Sequence, residues 1–132
     1  MNDISRIPRS FTYAAKGLRH AYRADKSFRL EINLGLPLYV LLGWILYPLS
    51  STELIIYVLT YVLILTVELI NTAFEKMLDK VHPDEHELIA KSKDIASAAV
   101  LMVFVFAVFV VATLLYEHFL AAIQYSVASW VA

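Results

Sequence analysis

The charges in this chain leave three long gaps, and those gaps constrain what it can fold into. Residues 32–52, between Glu31 and Glu53, are 21 uncharged positions. Residues 54–74, between Glu53 and Glu75, are another 21, broken only by Glu68. Residues 95–116, between Asp94 and Glu117, are 22 positions without a charge. An α-helix needs about 20 mostly apolar residues to cross a bilayer core of ~30 Å. The expectation is three transmembrane helices at about 32–50, 54–74 and 95–116, the second continuing as a cytoplasmic helix to about 81. None of the blocks alternates as barrel strands do, so the fold class is an all-α membrane protein.

Composition agrees and removes other classes. The chain is 60% apolar and 17% charged, against about 45–50% and about 25% in soluble domains. Its 132 residues allow one domain. With no Cys, thiolate metal sites and cysteine nucleophiles are excluded. A net charge of −1 gives no basic field for nucleic acid. Gly17, Gly35 and Gly43 are the only glycines, and no phosphate-binding glycine loop can be built from them. The first apolar run begins too late and is too long for a secretory signal peptide.

All 11 Lys and Arg precede residue 94. Arg6, Arg9, Lys16, Arg19, Arg23, Lys26 and Arg29 lie before the first span, and Lys76, Lys80, Lys91 and Lys93 flank the loop between spans two and three. The positive-inside rule then places the N-terminus and the 75–94 loop in the cytoplasm, and the 50–53 turn and C-terminus outside. Before the first span, Ile7, Phe11, Ala14, Ala15, Leu18, Ala21 and Tyr22 form a helical apolar stripe opposite Lys16, Arg19, Arg23 and Lys26. About 7–28 therefore reads as an amphipathic helix in the cytoplasmic interface, the plainer reading being a basic segment that only sets topology. Asn33, Pro37 and Pro48 predict a kink near the start of the first span and an end near Pro48. Trp44 and Tyr47 read as interface anchors, and Tyr39 as an anchor or a packing residue. The tail at 117–132 is too short to span again, and it either extends the third helix or lies on the outer interface.

The stretch Glu68–Asp94 carries the chemistry. An intramembrane carboxylate is expensive and points to function, the plainer reading being a hydrogen bond to a neighbouring helix. Glu68, Asn71, Thr72, Glu75 and Asp79 share one helical face. Glu68 to Glu75 spans about 10 Å. Three carboxylates and an amide on one face line a cleft rather than meet lipid. Glu75 and Asp79 are hard oxygen ligands that suit Mg²⁺ with phosphate. Glu68 lies deeper, in the low-dielectric setting of a general base. Lys93 and Asp94 add groups for phosphate oxygens, and Asp25 and Glu31 flank the first span at the same depth. Individually, Asp79, Asp84, Glu85 and Glu87 also read as a solvated loop face. His82 and His86 have metal-ligand spacing, but Pro83 between them opposes a continuous helix.

The runs ELINTAFEKMLDKV (68–81), HEL (86–88) and AKSKDIASAAVL (90–101), with KGLRHAY (16–22) and FRLE (28–31), resemble the small prokaryotic integral-membrane lipid kinases, the diacylglycerol kinase and undecaprenol kinase family. The resemblance covers roughly residues 6–118. It implies a homotrimer of three-span subunits with a surface helix in the bacterial inner membrane. It implies transfer of the ATP γ-phosphate to the primary hydroxyl of diacylglycerol, giving phosphatidic acid, with Mg²⁺. By this analogy Glu68 is the catalytic base, and Asp25 and Glu75 hold metal. Asn71, Lys93 and Asp94 position the nucleotide, supported by Asp79. Arg6, Tyr13, Asp84, Glu85 and His86 fall at ATP contacts, and Ser97 falls near the lipid pocket. Asp25 departs from the pattern, standing where a Glu is expected and reaching one methylene less far.

Two alternatives frame this reading. Within the family, undecaprenol is the competing acceptor, giving undecaprenyl phosphate; a lipid-open site need not discriminate sharply, since one hydrocarbon contact is worth ~1–3 kcal/mol. From another class, a small ion- or proton-conducting oligomer uses Glu68 as a relay. That explains Glu68 but not the convergence of Asn71, Glu75, Asp79, Lys93 and Asp94. A structural protein joined through Ala96, Ser97, Ala98 and Ala99 does not need a carboxylate stripe.

Overall fold

The computed structural model describes residues 6–81 and 86–131. Its elements in order are α1 (Arg6–Ala24), α2 (Lys26–Leu30), a π turn (Glu31–Gly35), α3 (Leu36–Ile45), α4 (Ser51–Val81) and α5 (Glu87–Val131). Among the described residues there is no strand. Three helical stretches are long and apolar enough to cross a membrane: Lys26–Ile45, Ser51–Val81 and Glu87–Ser129.

The helix expected over about 7–28 is interrupted at Asp25. That residue is extended, at φ −107° and ψ 130°, and its carboxylate accepts the Phe28 N–H at 2.7 Å. It thus caps α2 while its own N–H closes the last turn of α1 on the Ala21 carbonyl. Arg29 reaches back to donate to the Tyr22 and Arg23 carbonyls, which the end of α1 leaves without helical partners. Ala21 and Phe28, on either side of the break, are both buried.

The irregularity expected from Asn33 and Pro37 takes the form of the π turn. Pro37 has no N–H to offer the preceding turn. The Leu36 N–H donates to the Glu31 carbonyl, five residues back instead of four. Asn33 accepts a hydrogen bond from the Tyr22 hydroxyl at 2.9 Å, tying α1 to this turn. α3 ends at Ile45, just before Pro48, as the sequence indicates. Ser50 and Glu53 then start α4 with reciprocal hydrogen bonds: Ser50 N–H to the Glu53 carboxylate at 2.6 Å, and Glu53 N–H to Ser50 Oγ at 3.3 Å. The tail after Glu117 continues α5 as helix.

α4 packs against α5 and against the first span through one stripe: Tyr57, Thr60, Tyr61, Ile64, Glu68 and Thr72. These steps of three and four residues place all six on one face. At one end, Leu46, Tyr57 and Leu114 form a closed cluster with Tyr39, Leu42 and Val110 around it. The Tyr57 hydroxyl donates to the Tyr39 carbonyl at 2.5 Å, and Tyr39 and Thr60 share a hydroxyl hydrogen bond at 3.1 Å. The Tyr39 ring lies 5.0 Å from that of Tyr57 and 4.7 Å from that of Tyr61. Tyr39 is therefore a packing residue, while Trp44 and Tyr47 are left 81% and 80% exposed. Gly43 permits this approach, since a Cβ there would stand 3.3 Å from Tyr57 Cε1.

Candidate functional site: a carboxylate-lined cavity

Toward its C-terminal end the same α4 stripe changes character. Glu68 is only 4% exposed, within a mostly apolar stretch of α4. Around it lies a cavity of about 360 Å³, lined by Asp25, Ser27, Glu31, Glu68, Asn71, Glu75, Ser97 and Val100. Four of these eight side chains carry carboxylates. The break at Asp25 brings one from the head of α2, and the π turn brings Glu31. α4 contributes Glu68 and Glu75, two helical turns apart. α5 closes the wall with Ser97 and Val100.

Hydrogen bonds in the cavity are incomplete. Asn71 Nδ2 donates to Glu75 Oε1 at 3.2 Å, which orients that carboxylate. Asn71 Oδ1 and Glu31 Oε2 are buried without a protein partner, and so is Thr72 Oγ1 on the same face of α4. The Ser27 hydroxyl stands beside the Glu68 carboxylate. A buried polar atom left unpaired costs about 1–3 kcal/mol, so these oxygens call for a partner from outside the chain, such as water or a ligand.

Five sequence-derived site residues line this cavity: Asp25, Glu68, Asn71, Glu75 and Ser97. Others lie apart from it. Asp79 and Lys93 form an ion pair between α4 and α5, one helical turn beyond Glu75. The Lys93 ammonium holds the Asp79 carboxyl below its ordinary range, and Asp79 raises the Lys93 ammonium in turn. Asp94 is exposed next to Lys93 on α5. Tyr13 is 68% exposed on α1, with the Lys16 ammonium 5.9 Å from its ring centroid. His86 is exposed, and its Nδ1 accepts the Leu88 N–H at the start of α5. Arg6 opens α1. Asp84 and Glu85 lie outside the described residues.

Three residues that line the cavity were not given a site role by sequence: Ser27, Glu31 and the apolar Val100. Glu31 had a partial signal, as the acidic residue at the edge of the first apolar block. Ser27 had none, because a lone serine at a helix start reads equally as a cap.

The donor set suits a hard cation. It consists of carboxylate and amide oxygens, two of them buried and unpaired, which is Mg²⁺ chemistry rather than thiophilic or imidazole chemistry. Among the described residues no three Asp, Glu or His side chains converge tightly enough to hold an ion by themselves. Mg²⁺ usually takes only one or two carboxylates, with water or phosphate oxygens completing the shell.

A family model described as prokaryotic diacylglycerol kinase matches residues 12–115. The chain is 32% identical over 116 residues to the diacylglycerol kinase of Escherichia coli (strain K12), covering 88% of this chain and 93% of that protein. It is 34% identical over 102 residues to the diacylglycerol kinase of Synechocystis sp., covering 76% and 57%. It is 30% identical over 99 residues to the undecaprenol kinase of Bacillus subtilis, covering 75% and 79%.

Proposed function

The chain belongs to the prokaryotic diacylglycerol kinase family, and we propose that it transfers the ATP γ-phosphate to the primary hydroxyl of diacylglycerol, giving phosphatidic acid. The observation that carries this reading is the cavity itself. A buried glutamate, inside an apolar helix, faces carboxylates and unpaired oxygens that reach toward the polar end of the span. A diacylglycerol keeps its tails in the bilayer and presents a hydroxyl at that depth. ATP approaches from water.

In this reaction a P–O bond to the β-phosphate oxygen breaks and a P–O bond to the lipid oxygen forms. Glu68 takes the hydroxyl proton as that bond forms. Ser27 orients the Glu68 carboxylate. Asn71 holds Glu75, and Asp25 and Glu75 are the residues that would hold Mg²⁺. When bound, the metal neutralises charge on the phosphate oxygens. Lys93, fixed by Asp79, offers its ammonium to the same phosphates, with Asp94 beside it. Arg6, Tyr13, Asp84, Glu85 and His86 complete the nucleotide side, and Ser97 the lipid side. Phosphoryl transfer asks mainly for positioning and charge neutralisation, which is what such an arrangement offers.

On this reading the protein sits in the bacterial inner membrane, with the N-terminus and the 75–94 loop cytoplasmic. α1 lies in the interface, and copies associate as a homotrimer through exposed apolar faces such as that of α5. Undecaprenol is the second acceptor, favoured by the Bacillus subtilis relative.

The test is phosphorylation by purified protein in mixed micelles with Mg²⁺–ATP, diacylglycerol and undecaprenol being supplied separately beside a Glu68→Gln control. Faster labelling of diacylglycerol, lost in the control, is the expected result. Faster labelling of undecaprenol reassigns the lipid. No labelling of either, with ion flux in proteoliposomes without ATP, replaces the kinase by the ion-conducting reading.

A further inference from the structure

Glu31 has two ends, and they do different things. Its carboxylate lines the cavity with Oε2 unpaired. Its carbonyl accepts twice: from the Leu36 N–H across the π turn, and from the Tyr61 hydroxyl of α4 at 2.8 Å.

The π turn has a rotational consequence. In a continuous α-helix, the eight residues from Glu31 to Tyr39 leave the two side chains about 80° apart around the axis. A π turn absorbs about one residue of rotation, which brings them close to the same face. Tyr61 touches both: its ring lies against Tyr39, and its hydroxyl reaches the Glu31 carbonyl. In an α register, Glu31 would swing by about 100° relative to Tyr39 and leave the cavity wall. The π form is the less favoured register of the two, so a donor on another helix that bonds the widened turn selects it.

We propose that Tyr61 is a positioning residue for the kinase reaction: its hydroxyl holds the widened turn in register and so fixes the Glu31 carboxylate in the cavity beside Glu68. Tyr61 stands seven residues, about 10 Å along the helix, from Glu68 and does not line the cavity. It acts through the backbone of another helix. This proposal rests on the kinase reading.

Tyr61→Phe removes the hydroxyl and keeps the ring against Tyr39. Tyr57→Phe is the matched control, because it removes the same kind of bond, hydroxyl to the Tyr39 carbonyl, from the same helix. Two readouts are taken: hydrogen–deuterium exchange over residues 31–36, and kinetics with lipid and with ATP varied separately. Tyr61→Phe is expected to speed exchange over 31–36 and to lower kcat/KM for the lipid, each about three- to tenfold, with KM for ATP unchanged. Tyr57→Phe is expected to leave both readouts as they are. In a Glu31→Gln background, Tyr61→Phe is expected to add nothing further to the loss. Unchanged exchange over 31–36, an equal loss of lipid kcat/KM in Tyr57→Phe, or full additivity with Glu31→Gln each overturns the proposal. If the wild-type protein phosphorylates no lipid, the kinase reading falls, and the exchange comparison alone still decides whether Tyr61 holds the turn.

Discussion

The two ends of the α4 stripe use the same spacing for opposite purposes. At Tyr57, Thr60 and Tyr61 the polar groups bond to backbone or hydroxyl partners on the first span or on α4 itself. At Glu68, Asn71 and Glu75 the stripe opens onto a cavity, and oxygens of Asn71 and of the adjacent Thr72 have no protein partner. Both ends are polar and both are at least partly buried, so polarity within the span does not separate them. Satisfaction of hydrogen bonds does. The tyrosine end is glue between helices, where polar bonds average well under 2 kcal/mol each. At the carboxylate end the oxygens of Glu31, Asn71 and Thr72 have no protein partner.

The contrast can be broken from either side. Glu68→Gln is expected to lower kcat by about 10²–10⁴-fold, the range for loss of a general base, with unfolding in SDS unchanged. Near-wild-type turnover would remove Glu68 from the base role. Glu75→Gln is expected to weaken apparent affinity for Mg²⁺ and ATP on the order of tenfold or more, read from Mg²⁺ and ATP titrations. Identical titration curves would take Glu75 out of the metal site.

At the other end, Tyr61 apart, the losses should be of stability alone. Leu46→Ala empties a fully buried position and is expected to destabilise by about 2–5 kcal/mol, with activity per folded molecule intact. Gly43→Val presses on Tyr57 and is expected to cost about 1–3 kcal/mol by the same SDS titration. A Gly43 variant that lost turnover without losing stability would show that the two ends are coupled by more than Tyr61.

The smallest effect belongs to the Asp79–Lys93 pair, which lies beyond both. Asp79 is held below its ordinary range, so whatever the pair adds to stability is present above that range and lost as pH falls through it. Lys93→Met should therefore lower stability by a small, constant amount at neutral pH, the gap to wild type closing as pH falls through the acid limb of the unfolding profile.

Much of this was legible in the sequence because hydrocarbon is a severe solvent. Three uncharged blocks of span length admit few solutions, and the helices at Lys26–Ile45, Ser51–Val81 and Glu87–Ser129 follow from them. Helical spacing alone likewise puts Glu68, Asn71 and Glu75 on one face. The break at Asp25 was not legible, since the apolar period runs through it and the cap depends on one side chain turning back to Phe28. The tyrosine bonds were hidden for a related reason. Spacing says that Tyr57 and Tyr61 share a face, but not that the first span offers carbonyls there. Glu31 belongs to the cavity only through the π turn, a one-residue change of register that no period in the sequence announces.

The capping box at Ser50 and Glu53 also sets a length. Fifteen residues separate Glu53 from Glu68, about 22 Å of helix, while a typical hydrocarbon core is ~30 Å thick. On the proposed topology Glu53 stands at one surface of the membrane, and Glu68 falls about 8 Å short of the other. On that placement bilayer thickness sets the depth of Glu68. A thinner membrane lifts Glu68 toward the headgroups, a thicker one sinks it, and helix tilt trades against both through hydrophobic mismatch.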